Sequence, residues 1–308
     1  MKARGARSDL GSDHADTCGV GSGIETARPV TDSPVDPIDR GWRGLAQHDG
    51  PASHVGYLLI GGDGRTVGFG KATSGIAVTD RLAGRTIVDV ALSPTGMGQW
   101  VATEDGSVIS VGDSPSHGGA STFDLAAPIV AIAALPGGLG YWLVSSDGGV
   151  FSFGAARFYG SMANDALAKP VVDAAVAPAG DGYWLVSADG GVFTFGDARF
   201  CGSAADLDLG DSVIGVAPTP TGQGYWIATS TGMVLTFGDA VDLGSPADLG
   251  EISHDPIVAL SASRNTFGYW TAGTDGSVWA FGDTYFLGHA PVDSMIEPVI
   301  AFAAVPGT

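Results

Sequence analysis

Cysteine is almost missing: the 308 residues hold two, Cys18 and Cys201. Two thiols in unrelated contexts supply neither a disulfide framework nor a C-x-x-C metal pair. Cys201 stands where the neighbouring repeat has Tyr159, so it reads as a small apolar strand residue. Positive charge is scarce as well. Lys and Arg number 14 against 33 Asp and Glu, a net charge of −19. That field repels phosphate backbones, and no basic patch offsets it, which argues against nucleic acid as a partner. No apolar run approaches the length of a membrane span. The basic start has no apolar segment behind it, so a secretory signal is not expected and a cytoplasmic setting follows by default. Also lacking are a G-x-S-x-G elbow, an H-E-x-x-H pair and a P-loop. No cofactor and no metal are expected.

Glycine, by contrast, is abundant at 49 residues, and much of it belongs to a repeat. The stretch GYWLVSADGGVFTFGDARFCGS at 182–203 has a near-copy, GYWLVSSDGGVFSFGAARFYGS, at 140–161, and weaker copies begin at Gly56, Gly98, Gly224 and Gly268. Trp100, Trp142, Trp184 and Trp226 follow one another every 42 residues, and Trp270 comes 44 later. A fixed period in this range denotes a repeat architecture.

Each unit reads as four short strands. Around Tyr183 these are an apolar strand A (171–177), strand B (183–187), strand C (191–195) and a short strand D (199–202). Asp189-Gly190 between B and C is a hairpin turn signal, since a tight turn of the correct twist needs positive φ. Strand B is apolar at almost every position instead of alternating, so both its faces should be buried. Sheets buried on both faces stack around an axis as propeller blades do. The first unit lacks a strand A, and residues 298–308 (PVIAFAAVPGT) match strand A and nothing after it. The expectation is therefore an all-β, six-bladed β-propeller of four-stranded antiparallel blades over 56–308, with the C-terminal strand closing the first blade and leaving no open edge. Residues 1–55, rich in Pro, Asp, Ser and Thr, read as a disordered or docking N-terminal arm.

The run GYWLV-x-x-DGGVF-x-FGDA resembles tandem repeats of secreted and surface proteins of actinobacteria. More distantly, it is similar to the regulator-of-chromosome-condensation propeller repeats. The resemblance covers 56–308 and implies a propeller blade, with an extracellular or surface setting; it implies no activity, and this chain has Gly-Tyr-Trp where the latter family has a Gly-x-x-His-Ser type of strand.

Candidate sites are few. Asp89 and Asp173 interrupt strand A with carboxylates where other units have Ala or Gly, so they border the expected channel. They are the catalytic pair, binding a cation or acting as acid and base, if the protein is a hydrolase or lyase on carbohydrate or ester substrates. The segments that vary between units are the D-to-A connections, and variable loops on a repeated scaffold carry recognition. They hold Asp165, Asp206, Asp208, Asp211, Asp248 and Asp293, which should share one face with the Asp-Gly turns. The favoured function is a non-enzymatic binding or scaffold propeller engaging a protein or glycan through this acidic face. A structural subunit of a larger assembly, joined through 1–55, is the remaining alternative.

Overall fold

A computed structural model describes residues 55–72, 76–249, 255–291 and 294–305. The expected N-terminal arm lies outside them, apart from Val55. Strand formation follows the repeat. The first two strands are β1 (Gly56–Gly61) and β2 (Thr66–Gly70), followed by a short helix α1 (Thr79–Leu82). Five triplets come next: β3 to β5 (Ile87–Leu92, Gln99–Thr103, Val108–Val111), β6 to β8 (Ile129–Ala134, Gly140–Ser145, Val150–Gly154) and β9 to β11 (Val171–Val176, Gly182–Ser187, Val192–Gly196). After these come β12 to β14 (Val213–Pro218, Gly224–Thr229, Val234–Gly238), β15 to β17 (Ile257–Ala262, Gly268–Gly273, Val278–Gly282), and lastly β18 (Val299–Ala304).

Each triplet is a separate antiparallel sheet, and β18 joins β1 and β2 in the sixth. Its register runs from Tyr57 opposite Ala304 to Gly61 opposite Val299. The first strands of the sheets pack side by side in the cyclic order β3, β6, β9, β12, β15, β18 and back to β3. All residues of the middle strands β1, β4, β7, β10, β13 and β16 are buried, as a strand between two neighbouring sheets must be. Their aromatic pairs form the core. Trp142 of one sheet meets Tyr183 of the next with ring centroids 5.1 Å apart, and Trp226 meets Tyr269 at 5.4 Å.

The four-stranded blade is not formed. Six three-stranded sheets replace it, no sheet closes on itself, and the arrangement is propeller-like only in the ring of inner strands. The segment read as strand D has no ladder partner because its main-chain groups are taken by side chains. Trp184 Nε1 donates to the Arg199 carbonyl at 2.8 Å. From the next sheet, the Tyr225 hydroxyl accepts from Cys201 N at 3.1 Å and donates to the Gly202 carbonyl at 2.5 Å. Gly202 has φ 132°, and a Cβ there would come 2.7 Å from the Phe237 ring. The segment bends under that ring instead of extending.

The same clasp recurs. Trp100, Trp142, Trp226 and Trp270 donate to the carbonyls of Pro115, Arg157, Val241 and Tyr285. Tyr141, Tyr183, Tyr269 and Tyr57 donate to Gly118, Gly160, Gly244 and Gly288 in the preceding sheet. Tyr57 thereby ties the first sheet to the last. Buried donors in a dry core must be paired, and here the pairing itself fixes the spacing of the sheets.

Candidate functional site

The ring encloses a central cavity of 390 Å³. Its walls are the later halves of β3, β6, β9, β12, β15 and β18 and the turns that follow them. It belongs to the end of the ring that carries the A-to-B turns. Asp89 and Asp173 lie at its deep limit, in the middle of their strands.

Both carboxyl groups are engaged by backbone amides. Asp89 Oδ1 accepts from Val90 N at 2.7 Å, and Oδ2 from Ile132 N on the adjacent β6 at 2.9 Å. Asp173 repeats the pattern with Ala174 N at 2.7 Å and Val216 N of β12 at 2.9 Å. Each side chain thus pins one inner strand to the next. Gly215 makes room for the second, since a Cβ there would stand 3.1 Å from Asp173 Oδ2. Protein surrounds both groups although the cavity touches them, and desolvation drives their pKa values up, Asp89 to about 7 despite the two amide bonds. Asp173 reaches about 8, where the charge of Asp89 adds to the desolvation. No histidine or cysteine lines the cavity. Among the described residues no group of three or more His, Cys, Asp or Glu is placed to hold a metal ion.

The opposite end carries the connections. They are fastened to the B-to-C turns of their own sheets: Ala120 N donates to Gly106 O, Met162 N to Gly148 O, Ala204 N to Gly190 O and Ala290 N to Gly276 O, at 2.7 to 3.0 Å. The carboxylates of the Asp-Gly turns are consumed locally. Asp147 Oδ1, for instance, accepts from Ser145 Oγ at 2.5 Å and from Gly149 N at 3.1 Å. Asp165, Asp206, Asp208 and Asp248 are exposed on the connections, Asp248 also accepting from Ser245 Oγ at 2.6 Å. Asp293 lies outside the described residues.

Asp211 does something else. Both its oxygens accept from Ser230 Oγ at 2.8 Å, and Oδ2 accepts from Thr231 N at 2.7 Å. Against the opposing effect of partial desolvation, the hydrogen bonds led by that of Ser230 lower its pKa. The fifth repeat has Thr231 in place of the turn aspartate. Asp211 from the preceding connection holds the same turn through other donors, while Thr229 Oγ1 pairs with Thr231 Oγ1 and Met233 N donates to Thr229 Oγ1.

Sequence reasoning missed the apolar half of this end. Phe123, Leu207, Leu249 and Ile296 are 52, 42, 44 and 67% exposed, one on each of four connections. Each adjoins an exposed acid in sequence: Asp124, then Asp206 and Asp208, then Asp248, then Glu297. Aligning the connections, not only the strands, would have exposed the pattern. It also missed Arg264. Pro94, Pro136, Pro178 and Pro220 stand six residues before their tryptophans, and Arg264 occupies that place in the sixth repeat.

No protein-family model matches the chain, and no curated protein sequence does. The fold has a distant likeness to propeller-fold proteins. A chain in the crystal structure of a nidogen/laminin complex superposes with a TM-score of 0.55 at 12% identity, covering 81% of this chain and 98% of that one. The beta-propeller domain of Cps50 (Swd1) from Myceliophteria thermophila gives 0.43 at 12% identity, with 70% of each chain covered. Identities this low speak to fold alone, and the second superposition is too loose to carry an argument. No helix of the described residues is long and apolar enough to cross a membrane.

Proposed function

We propose that this protein is a non-enzymatic, protein-binding scaffold that receives a partner on the connection end of the ring. One observation carries the reading. Four connections in equivalent positions each put a large exposed apolar side chain beside exposed carboxylates: Phe123 with Asp124, Leu207 between Asp206 and Asp208, Leu249 with Asp248, and Ile296 with Glu297. Single exposed apolar residues are ordinary, but a repeated set on one face marks an interaction surface. Apolar anchors rimmed by charge match the anatomy of protein interfaces. The acidic rim selects a partner with basic residues around an apolar patch, and steers it. The superposable chain was crystallised in a nidogen/laminin complex, which supports a protein over a glycan. Asp165, Asp206, Asp208 and Asp248 are the acids we assign to the rim. The likeness of the repeat to actinobacterial surface-protein repeats supports an extracellular or surface setting.

The test compares two multiple variants in capture experiments at low and high salt. Replacing Leu207, Leu249 and Ile296 by Ser should abolish capture of the native partner. Replacing Met97 and Leu139, exposed on the A-to-B turns, should leave it intact. The reverse result places binding at the other end and refutes the reading.

A further inference from the structure

We propose that the central cavity binds an organic carboxylate, its charged head on the Arg264 guanidinium at the mouth and its apolar body between the inner strands. The proposal concerns the other end of the ring from the connection face and stands independently of it.

Arg264 is the one cation of the cavity lining. It replaces a proline found at the same place in the four preceding repeats, so the fold does not require it. Among the described residues it has no ion-pair partner. The residue as a whole is exposed, and partial desolvation lowers its pKa. A guanidinium without an ion-pair partner among the described residues, at the mouth of a cavity, is a ready fork for a carboxylate, which it holds through two parallel hydrogen bonds. Below it the walls are Ala91, Ala133, Ala175, Val90, Val216 and Leu260, small or branched apolar side chains. The volume of 390 Å³ falls within the usual span of small-molecule sites, about 300–1,000 Å³.

Charge in the cavity depends on pH. The titratable groups in its lining are Asp89, Asp173 and Arg264, all other contributions from the six strands and their turns being apolar, hydroxyl or amide. With both acids protonated the cavity is cationic; with both ionised it is anionic and repels a carboxylate. The net charge of −19 opposes any anion at long range, so affinity must come from the local ion pair and from apolar burial. Lengthening the alkyl chain should then tighten binding about three- to fourfold per methylene, from about 0.8 kcal/mol each.

Isothermal titration with sodium hexanoate and octanoate tests this at pH 6 and pH 9, with octylamine as the cationic control. Octanoate should bind at pH 6, more tightly than hexanoate, and weaken at least tenfold at pH 9. Arg264→Pro restores the residue of the other repeats, so it should fold and lose binding, while Arg264→Lys should keep part of it. In the Asp89→Asn, Asp173→Asn double variant, octanoate affinity should be the same at both pH values. A leucine-ended hexapeptide, as free acid and as amide, separates the sources. Binding of the free acid alone assigns the carboxylate to a peptide terminus, and octanoate binding without it assigns a free acid; either keeps the proposal. Octylamine binding in place of both carboxylates, or unchanged octanoate affinity in Arg264→Pro, overturns it.

Discussion

Gln99 donates from Nε2 to the carbonyl of Ile76 at 2.9 Å, in the place where the five other repeats use a tyrosine hydroxyl to reach a glycine carbonyl. The amide and the phenol do the same work across a sheet boundary. Gln99 is buried, so Gln99→Leu leaves the Ile76 carbonyl unpaired at a cost of about 1–3 kcal/mol. Denaturant titration should show that loss, and an unchanged midpoint would show that the bond is incidental.

Trp184 joins burial to the same clasp. Trp184→Ala should cost about 3–5 kcal/mol from the cavity it leaves. Trp184→Phe keeps much of the apolar contact but removes the donor to Arg199, so it should cost less than the alanine variant while freeing the rim segment. Faster amide exchange at Cys201 and Gly202 in the phenylalanine variant would report that release; equal exchange in both proteins would contradict it.

Asp211 holds the turn of the fifth repeat from outside it. Asp211→Asn weakens the acceptors for Ser230 Oγ and Thr231 N, and should lower stability by about 1–2 kcal/mol. Thr231→Asp supplies the turn carboxylate of the other repeats, whose donors would be Thr229 Oγ1 and Met233 N, so it should not rescue Asp211→Asn. Denaturant titration of the single and double variants checks this, and recovery of most of the loss in the double variant would contradict it.

Stability should fall as pH rises from 4 towards 8. The folded pKa values of Asp89 and Asp173 stand above the usual carboxylate range. Between the unfolded and folded values, then, the folded state holds more protons. Each group contributes stability that is fully present below the unfolded pKa and is lost as pH climbs through the folded one, by at most about 1.4 kcal/mol per pH unit. Denaturant midpoints from pH 4.5 to 9 should decline and then level off. The Asp89→Asn, Asp173→Asn double variant should flatten the curve, and a wild-type profile that rises over this window would contradict the assignment.

Removing residues 298–308 takes away β18, the partner of β1. Both the middle strand of the first sheet and the edge of Ser261, which accepts from Ala304 N at 3.4 Å, lose their cover. An exposed apolar edge of this kind promotes association. Light scattering and a melting scan should show aggregation and loss of the cooperative transition. A monomer with the parent melting temperature would mean that the ring does not depend on the pairing.

The period, the Asp-Gly turns and the buried middle strands were legible because each is local. Tyr183 and Trp184 announce a strand buried on both faces wherever it sits. The missing fourth strand was not legible, because residues 199–202 have strand-like composition and their fate is decided by Tyr225, more than twenty residues away. Asp89 and Asp173 were rightly placed on the inner strands. Their attachment to backbone amides 43 residues on could not be read from composition. Arg264 was visible in principle, as the exception in a column of prolines, but a turn position on its own accepts either residue and gives no signal.

The hydrogen bonds of the Trp and Tyr clasp reach only main-chain atoms of the rim segment. Those bonds do not depend on the side chain held, and His117, Tyr159, Cys201, Leu243 and Leu287 occupy the same column of the repeat. Where that residue carries a ring it packs on the clasp, His117 6.2 Å from Trp100 and Tyr159 6.4 Å from Trp142 between centroids. The scaffold therefore separates what must stay the same from what is free to drift. Four different side-chain types sit at one spatial interval around the perimeter, and exchanging them alters the rim while the main-chain bonds of the clasp stay in place.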